Sequence, residues 1–297
     1  MRILVAGASG YLGRYVALEF KKRGHWIRVL VREKSLHKLK EIGPFLQPPI
    51  KDRVDDIFIG EVTDRESLKG IMDGIDVVFS SVGITRQRDP VGFMEVDYGG
   101  NKNLLDLALE RGVRKFIFVS AFNVHLFGHL EIVRAREKFV EDLTSSGIDC
   151  AVVRPTGFFS DSSEFLRMAL KGRAYLIGDG HNRVNPIHGA DLAEVCADAL
   201  ESDLKEIPVG GPQVFTYREI AELAFRIIGK SLRITNIPPG LMRFIAGLIK
   251  PFNSKYHTLA RFFTEAMTHD FVAPPRGKIR LEDYFRELLD FWEKKGV

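Results

Sequence analysis

Cysteine is scarce: Cys150 and Cys196 are the only two, far apart and each inside an apolar stretch. That excludes a disulfide framework and a cysteine-rich metal site, and it fits a reducing, cytoplasmic setting. Long apolar runs are missing too. The most membrane-like stretch, residues 237–252, contains Arg243 and Lys250 and falls short of the roughly 18 unbroken apolar residues a spanning helix needs. Glutamine is limited to Gln47, Gln87 and Gln213, a pattern associated with thermophilic sources, where amides deamidate. Neither charge sign dominates: 43 Lys and Arg stand against 39 Asp and Glu, interleaved along the chain, so no nucleic-acid partner is expected. Met1-Arg2-Ile3-Leu4-Val5 runs straight into a strand and a glycine loop, so no signal peptide is expected. There is no fixed-period repeat and no low-complexity tract.

What is present is ordinary globular material, 45% hydrophobic and 28% charged, enough for a large core. Apolar, β-rich runs at 2–6, 26–31, 57–62, 77–82, 115–121 and 150–154 alternate with amphipathic stretches. Strands that are apolar almost throughout are covered on both faces, which predicts an α/β fold with a doubly wound parallel sheet of Rossmann type. After residue 155 the alternation ends. The expected organisation is a dinucleotide-binding domain over 1–155 with a smaller C-terminal substrate or lid region over 156–297 packed on it as one compact unit. Residues 175–186 read as a hairpin around Gly178-Asp179-Gly180, with helices at 190–200 and 217–229. The proline-bearing stretch 43–56 reads as a surface loop.

Gly7-Ala8-Ser9-Gly10-Tyr11-Leu12-Gly13 follows the first strand and opens the first helix. Gly7 permits the tight turn, Gly10 lets backbone approach a pyrophosphate, and Gly13 allows close helix–sheet packing, with the helix N-terminus facing the phosphates. The second strand ends Val31-Arg32, where an NAD-specific site usually has an acid. A guanidinium there suits a 2′-phosphate, with Lys34 and Lys38 as further charge, so NADP(H) is expected over NAD(H). Glu33 competes with this reading, because a shift of one residue in register would reverse the preference. Ligands of open α/β sheets lie at the carboxyl ends of strands, where Glu61-Val62, Ser80-Ser81-Val82-Gly83, Ser120 and Arg154-Pro155-Thr156 stand.

These residues, with Gly60-Glu61-Val62-Thr63-Asp64, Val96-Asp97-Tyr98-Gly99-Gly100-Asn101, Phe118-Val119-Ser120-Ala121 and Asn185-Pro186-Ile187-His188, resemble the short-chain dehydrogenase/reductase superfamily, in its atypical NmrA-like branch. The resemblance implies a serine that positions substrate, here Ser120, and a Tyr-x-x-x-Lys pair that handles the proton. That pair is absent. The matching positions read Ile132 and Arg136 in one frame and Arg134 and Lys138 in the other, and no tyrosine lies between Tyr98 and Tyr175. The basic run Arg134-Ala135-Arg136-Glu137-Lys138 resembles the helix of those reductases in the branch that act on conjugated double bonds. Candidate catalytic residues are therefore Ser120, Arg136, to hold ribose or a substrate anion, and Lys138, as an acid or else a solvated charge. The resemblance implies hydride transfer from NADPH to a carbonyl or conjugated alkene of an apolar small molecule; the alternative is a non-catalytic NADP(H)-binding regulator or assembly subunit.

His125 and His129, four apart, lack an acidic or cysteine partner, so no metal site is expected. Phe158-Phe159 and Phe262-Phe263 suit either a flat apolar substrate or the core. For the apolar, basic-dotted helices at 241–250 and 259–267, a lid, a subunit contact within a homo-oligomer and a peripheral membrane helix all stand open.

Overall fold

The computed structural model describes residues 1–84, 91–249 and 254–296; Lys250, the end of one expected helix, lies outside the described residues. The first half of the chain forms β1 (Arg2–Ala6), α1 (Tyr11–Lys22), β2 (Trp26–Val31), β3 (Asp56–Ile59), β4 (Val77–Ser80), α2 (Asn101–Glu110), β5 (Lys115–Val119), α3 (Glu131–Ser145) and β6 (Asp149–Pro155). There follow α4 (Phe159–Leu170), β7 (Ala174–Ile177), β8 (Arg183–Val184), α5 (Gly189–Asp198), β9 (Glu206–Val209), β10 (Phe215–Thr216), α6 (Tyr217–Ile227), β11 (Ile234–Ile237), α7 (Pro239–Ile249), α8 (Ser254–Met267) and α9 (Leu281–Lys295).

Seven strands make one sheet in the order β3-β2-β1-β4-β5-β6-β9, and the five successive pairings from β3 to β6 are all parallel. The reversal of order at β1 is the Rossmann switch point, where a crevice opens at the strand ends. Every residue of β4 and β5 is buried, which is why these runs are apolar without alternation. In α1, Leu12, Val16 and Phe20 face the core, Lys21 and Lys22 occupy the last turn, and Gly24, at φ +82°, ends the helix in the left-handed conformation.

Three strands stop short of the apolar runs that announce them: β3 at Ile59, β4 at Ser80 and β5 at Val119. The residues beyond leave the ladder and become loops. The expected hairpin at 175–186 does not form. Gly178 and Gly180, at φ +78° and +80°, turn the chain, but β7 pairs in parallel with β11 and β8 pairs antiparallel with β10. Each strand finds a partner distant in sequence, which local turn chemistry does not reveal.

The chain divides into two compact units. The first comprises Met1–Ala121, Glu131–Arg154 and Leu192–Ile207; the second comprises Phe122–Leu130, Pro155–Asp191 and Pro208–Val297. The chain crosses between them repeatedly.

The stretch 43–56 is irregular, yet Gln47 and Ile50 are buried. Its anchor is Arg14 on α1, 2% exposed, whose guanidinium donates to the carbonyls of Glu41 (2.8 Å) and Pro48 (3.3 Å). Among the described residues, no helix is long and apolar enough to cross a membrane.

Candidate cofactor cleft

Within the first unit, the loops after β1, β2, β3 and β4 enclose a cleft of about 520 Å³. Gly7, Ser9 and Gly10 line it from the glycine loop, Arg32, Lys34 and Lys38 from the end of β2, Glu61, Val62 and Thr63 from the end of β3, and Ser81, Val82 and Gly83 from the end of β4. Among the described residues, three cations therefore face one carboxylate, a balance suited to an anionic ligand. Glu33 is not among the lining residues, so the register that aims Arg32 at the cleft is the one adopted.

The glycine loop has the conformation such a ligand needs. Gly7 lies at φ +85°, and a Cβ on it would come within 2.7 Å of Ser81 Oγ. A Cβ on Gly13 would run into the Gly7 carbonyl, so this glycine is what lets α1 start so close to the turn. Gly10 caps α1 with no side chain, and the first turn holds no acid, leaving the positive end of the helix dipole without a carboxylate from its own first turn. The residues present fit a dinucleotide with its phosphates at this turn. Tyr11, Leu12 and Gly13 are not lining residues; Leu12 and Gly13 are buried, and Tyr11 packs edge-on against Tyr15.

The loops on the far side are held by one helical segment. It begins as a wide-wound turn, Met94–Gly100, and continues into α2. Asn101, with no exposure, donates from Nδ2 to the Val82 and Asp97 carbonyls and accepts from the Ser80 hydroxyl (2.5 Å). Asn103 donates to the Val62 carbonyl (2.9 Å). Asp97, one turn before Asn101 and fully buried, accepts from the Ile84 amide (3.0 Å) and from Arg136 Nε (2.9 Å). Burial pushes the Asp97 carboxyl up, against the pull of the Arg136 guanidinium and the Ile84 amide. Ser80, expected at the ligand, is thus spent in the interior: its hydroxyl holds Asn101 and accepts from the Val82 amide (3.2 Å).

The three candidate catalytic residues point to three neighbourhoods. Ser120, 3% exposed, donates to Glu137 Oε1 (2.7 Å). Arg154 joins both, meeting Glu137 through two bonds of 2.9 Å and Glu206 at 2.6 and 2.9 Å. Burial pulls the Arg154 guanidinium down, but its bonds to the two carboxylates outweigh that and hold it above its ordinary value. Arg136 lies against the cleft wall, because a Cβ on Gly83 would collide with its guanidinium. Lys138 is exposed, with its ammonium 4.4 Å from the centre of the Tyr98 ring. Successive residues on α3 face different ways, so 136, 137 and 138 cannot share a target. Glu137 and Asn101 are the polar residues that reading the sequence missed; a charged or amide side chain amid helical residues is the only trace they leave there.

Pro155 and Thr156 belong to the second unit, where the Thr156 hydroxyl donates to the Asn185 carbonyl (2.6 Å). His125 and His129 are exposed there. Phe159 is buried beside His188 and Tyr284, and Phe262 packs on Phe127 and Phe263.

The profile of an NAD(P)H-binding family matches residues 7–203. The chain is 30% identical to the chloroplastic divinyl chlorophyllide a 8-vinyl-reductase of Cucumis sativus, an alignment spanning 97% of this chain and 76% of that protein. It is 27% identical to the photosystem II assembly factor Ycf39 of Synechocystis sp., over 97% of this chain and 91% of that one. Among solved structures, the NADPH-dependent quinone oxidoreductase QOR2 of Escherichia coli, complexed with NADPH, shares the fold with a TM-score of 0.73 at 17% identity, over 97% of this chain and 100% of that one.

Proposed function

The chain belongs to an NAD(P)H-binding family of the atypical, NmrA-like short-chain dehydrogenase/reductase type, and from that membership we propose that it is an NADPH-dependent reductase acting on a carbonyl or conjugated alkene of an apolar small molecule. The observation that carries the cofactor preference is that Arg32, Lys34 and Lys38 line the same cleft as the glycine loop while Glu33 does not. In this reading the Gly7 to Gly13 turn holds the pyrophosphate, and Arg32 pairs with the 2′-phosphate. Glu61, Val62 and the Ser81 to Gly83 backbone line the adenine and ribose path. Bound NADPH supplies the hydride, and the protein supplies orientation and charge. Arg136, fixed by Asp97 beside Gly83, anchors ribose or a substrate anion; as an arginine it stays protonated and orients rather than donates. The Ser120–Glu137–Arg154 cluster ties the end of β5 to α3 and β6.

A second reading, a non-catalytic NADP(H)-binding regulator or assembly subunit, is favoured by one observation: the Ser120 hydroxyl is buried and already donates to Glu137. Fluorescence titration with NADPH and NADH, followed by NADPH consumption with a panel of apolar enones and quinones, tests both. Tight NADPH binding, much weaker NADH binding and turnover of any acceptor support the reductase. Tight binding with no turnover across the panel supports the regulator, and binding of neither nucleotide sinks both.

A further inference from the structure

Helix α7 is packed unlike α6 and α9 of its unit. Helix α6 buries Ile220, Ala221, Leu223, Ala224 and Phe225, and α9 buries five large side chains, but the only residue of α7 that is fully buried is Ala246. Leu241, Phe244, Ile245 and Leu248, spaced as one helical face, are 49%, 64%, 40% and 57% exposed. Helix α8 packs against α7 and adds exposed Tyr256 and Phe263. So large an apolar face left in water marks a contact surface.

The charges around it say what kind. Acids and bases interleave along most of the chain, but residues 223–264 contain no Asp or Glu and seven Lys and Arg, in a protein with 39 acids in 297 residues. The next acid, Glu265, is shared by Arg243 (3.0 Å) and Arg261 (3.6 Å), one carboxylate for two guanidinium groups. Exposed aliphatic and aromatic side chains in a segment rich in bases, whose one carboxylate, Glu265, is buried and outnumbered, match the boundary between headgroups and acyl chains of an anionic bilayer. A second copy is a poor occupant, since a two-fold contact would set this base-rich face, whose one carboxylate is buried, against itself.

We propose that the α7–α8 face is a peripheral docking surface for anionic lipid, with Leu241, Phe244, Ile245 and Leu248 entering the interface. This stands apart from the cofactor reading, because its readout needs no nucleotide. The test is flotation of the full chain with vesicles of phosphatidylcholine alone or with one third phosphatidylglycerol. The anionic vesicles should retain about tenfold more protein than the neutral ones. Phe244→Gln with Leu248→Gln should cut that retention about tenfold while melting temperature and NADPH titration stay as in the parent, since both side chains are exposed. Leu241→Gln with Ile245→Gln repeats the test on the same face. Raising salt to about 1 M, where the screening length is about 3 Å, should weaken retention. No flotation of the parent with anionic vesicles, or equal flotation of both double variants, overturns the proposal. So does a parent dimer that the substitutions split and that ignores vesicles, which would assign the face to a second copy.

Discussion

In the first unit, buried charges are each tied to several partners: Arg14 to the Glu41 and Pro48 carbonyls, Asp97 to Arg136 and the Ile84 amide, Arg154 to Glu137 and Glu206. In the second unit, buried Glu265 is shared by Arg243 and Arg261, but three other buried groups answer to backbone or to rings. Asn185, with no exposure, donates to the Gly211 and Ala273 carbonyls and accepts from the Ala273 amide, Asp191 accepts from the Lys278 and Ile279 amides, and His188 packs between Phe159 and Tyr284. Burial alone pushes the His188 pKa down to about 4, so it is held neutral, whereas Arg154 is held charged. The difference follows from what each unit has to fix. Beside the cleft, Asp97 and Arg136 hold the loop after β4 through strong, charge-assisted bonds, while Arg14 pins the 43–56 stretch and Arg154 joins α3 to β9. In the second unit, Asn185 and Asp191 tie segments distant in sequence together through backbone groups.

The comparison can be broken most severely at the glycine loop. Gly13→Val should cost about 3 kcal/mol of stability and weaken NADPH binding by at least about 100-fold, because the new side chain meets the Gly7 carbonyl. Thermal melting and fluorescence titration check the two effects. Arg154→Met tests whether the first unit's charges are structural: stability should fall by about 3 kcal/mol, since Glu137 loses its partner, while NADPH affinity changes less than about threefold. Urea unfolding gives the first figure and titration the second; a large loss of affinity with stability intact would instead put Arg154 at the ligand.

For the second unit the test is pH. Above the ordinary histidine value of 6.5, His188 is neutral in both folded and unfolded chains and adds no slope. As pH falls below it, the unfolded chain takes up a proton that the folded chain refuses until about pH 4, so stability declines across that window by roughly 3 kcal/mol at its lower end. His188→Asn, which keeps an acceptor for the Ala190 amide, should remove that part of the decline in urea midpoints measured between about pH 7 and about pH 4.5. The smallest effect belongs to Lys138→Met. An exposed ammonium over the Tyr98 ring contributes about 0.5 kcal/mol, and NADPH affinity should stay within about twofold of the parent.

Much of the fold was legible. The apolar runs, the spacing of Leu12, Val16 and Phe20, and the glycine loop specify a parallel sheet and a phosphate turn through properties of neighbouring residues alone. Strand ends were less so, because Ser81 to Val82 and Glu61 to Val62 continue the apolar runs but lie beyond the ladder, with the Val82 and Val62 carbonyls bonded by Asn101 and Asn103. The hairpin at 175–186 failed for the same reason: β7 and β8 are claimed by β11 and β10.

At the site, the sequence by itself determined the glycine turn and the cation at the end of β2, since backbone conformation and strand register are set within a few residues. Only the tertiary structure decided which polar side chains face the cleft and which are spent inside. Ser120 meets Glu137 across 17 positions and Arg154 meets Glu206 across 52. A hydroxyl or a carboxylate is available for chemistry only if no such partner reaches it first, and the partners are chosen by packing that no local pattern encodes.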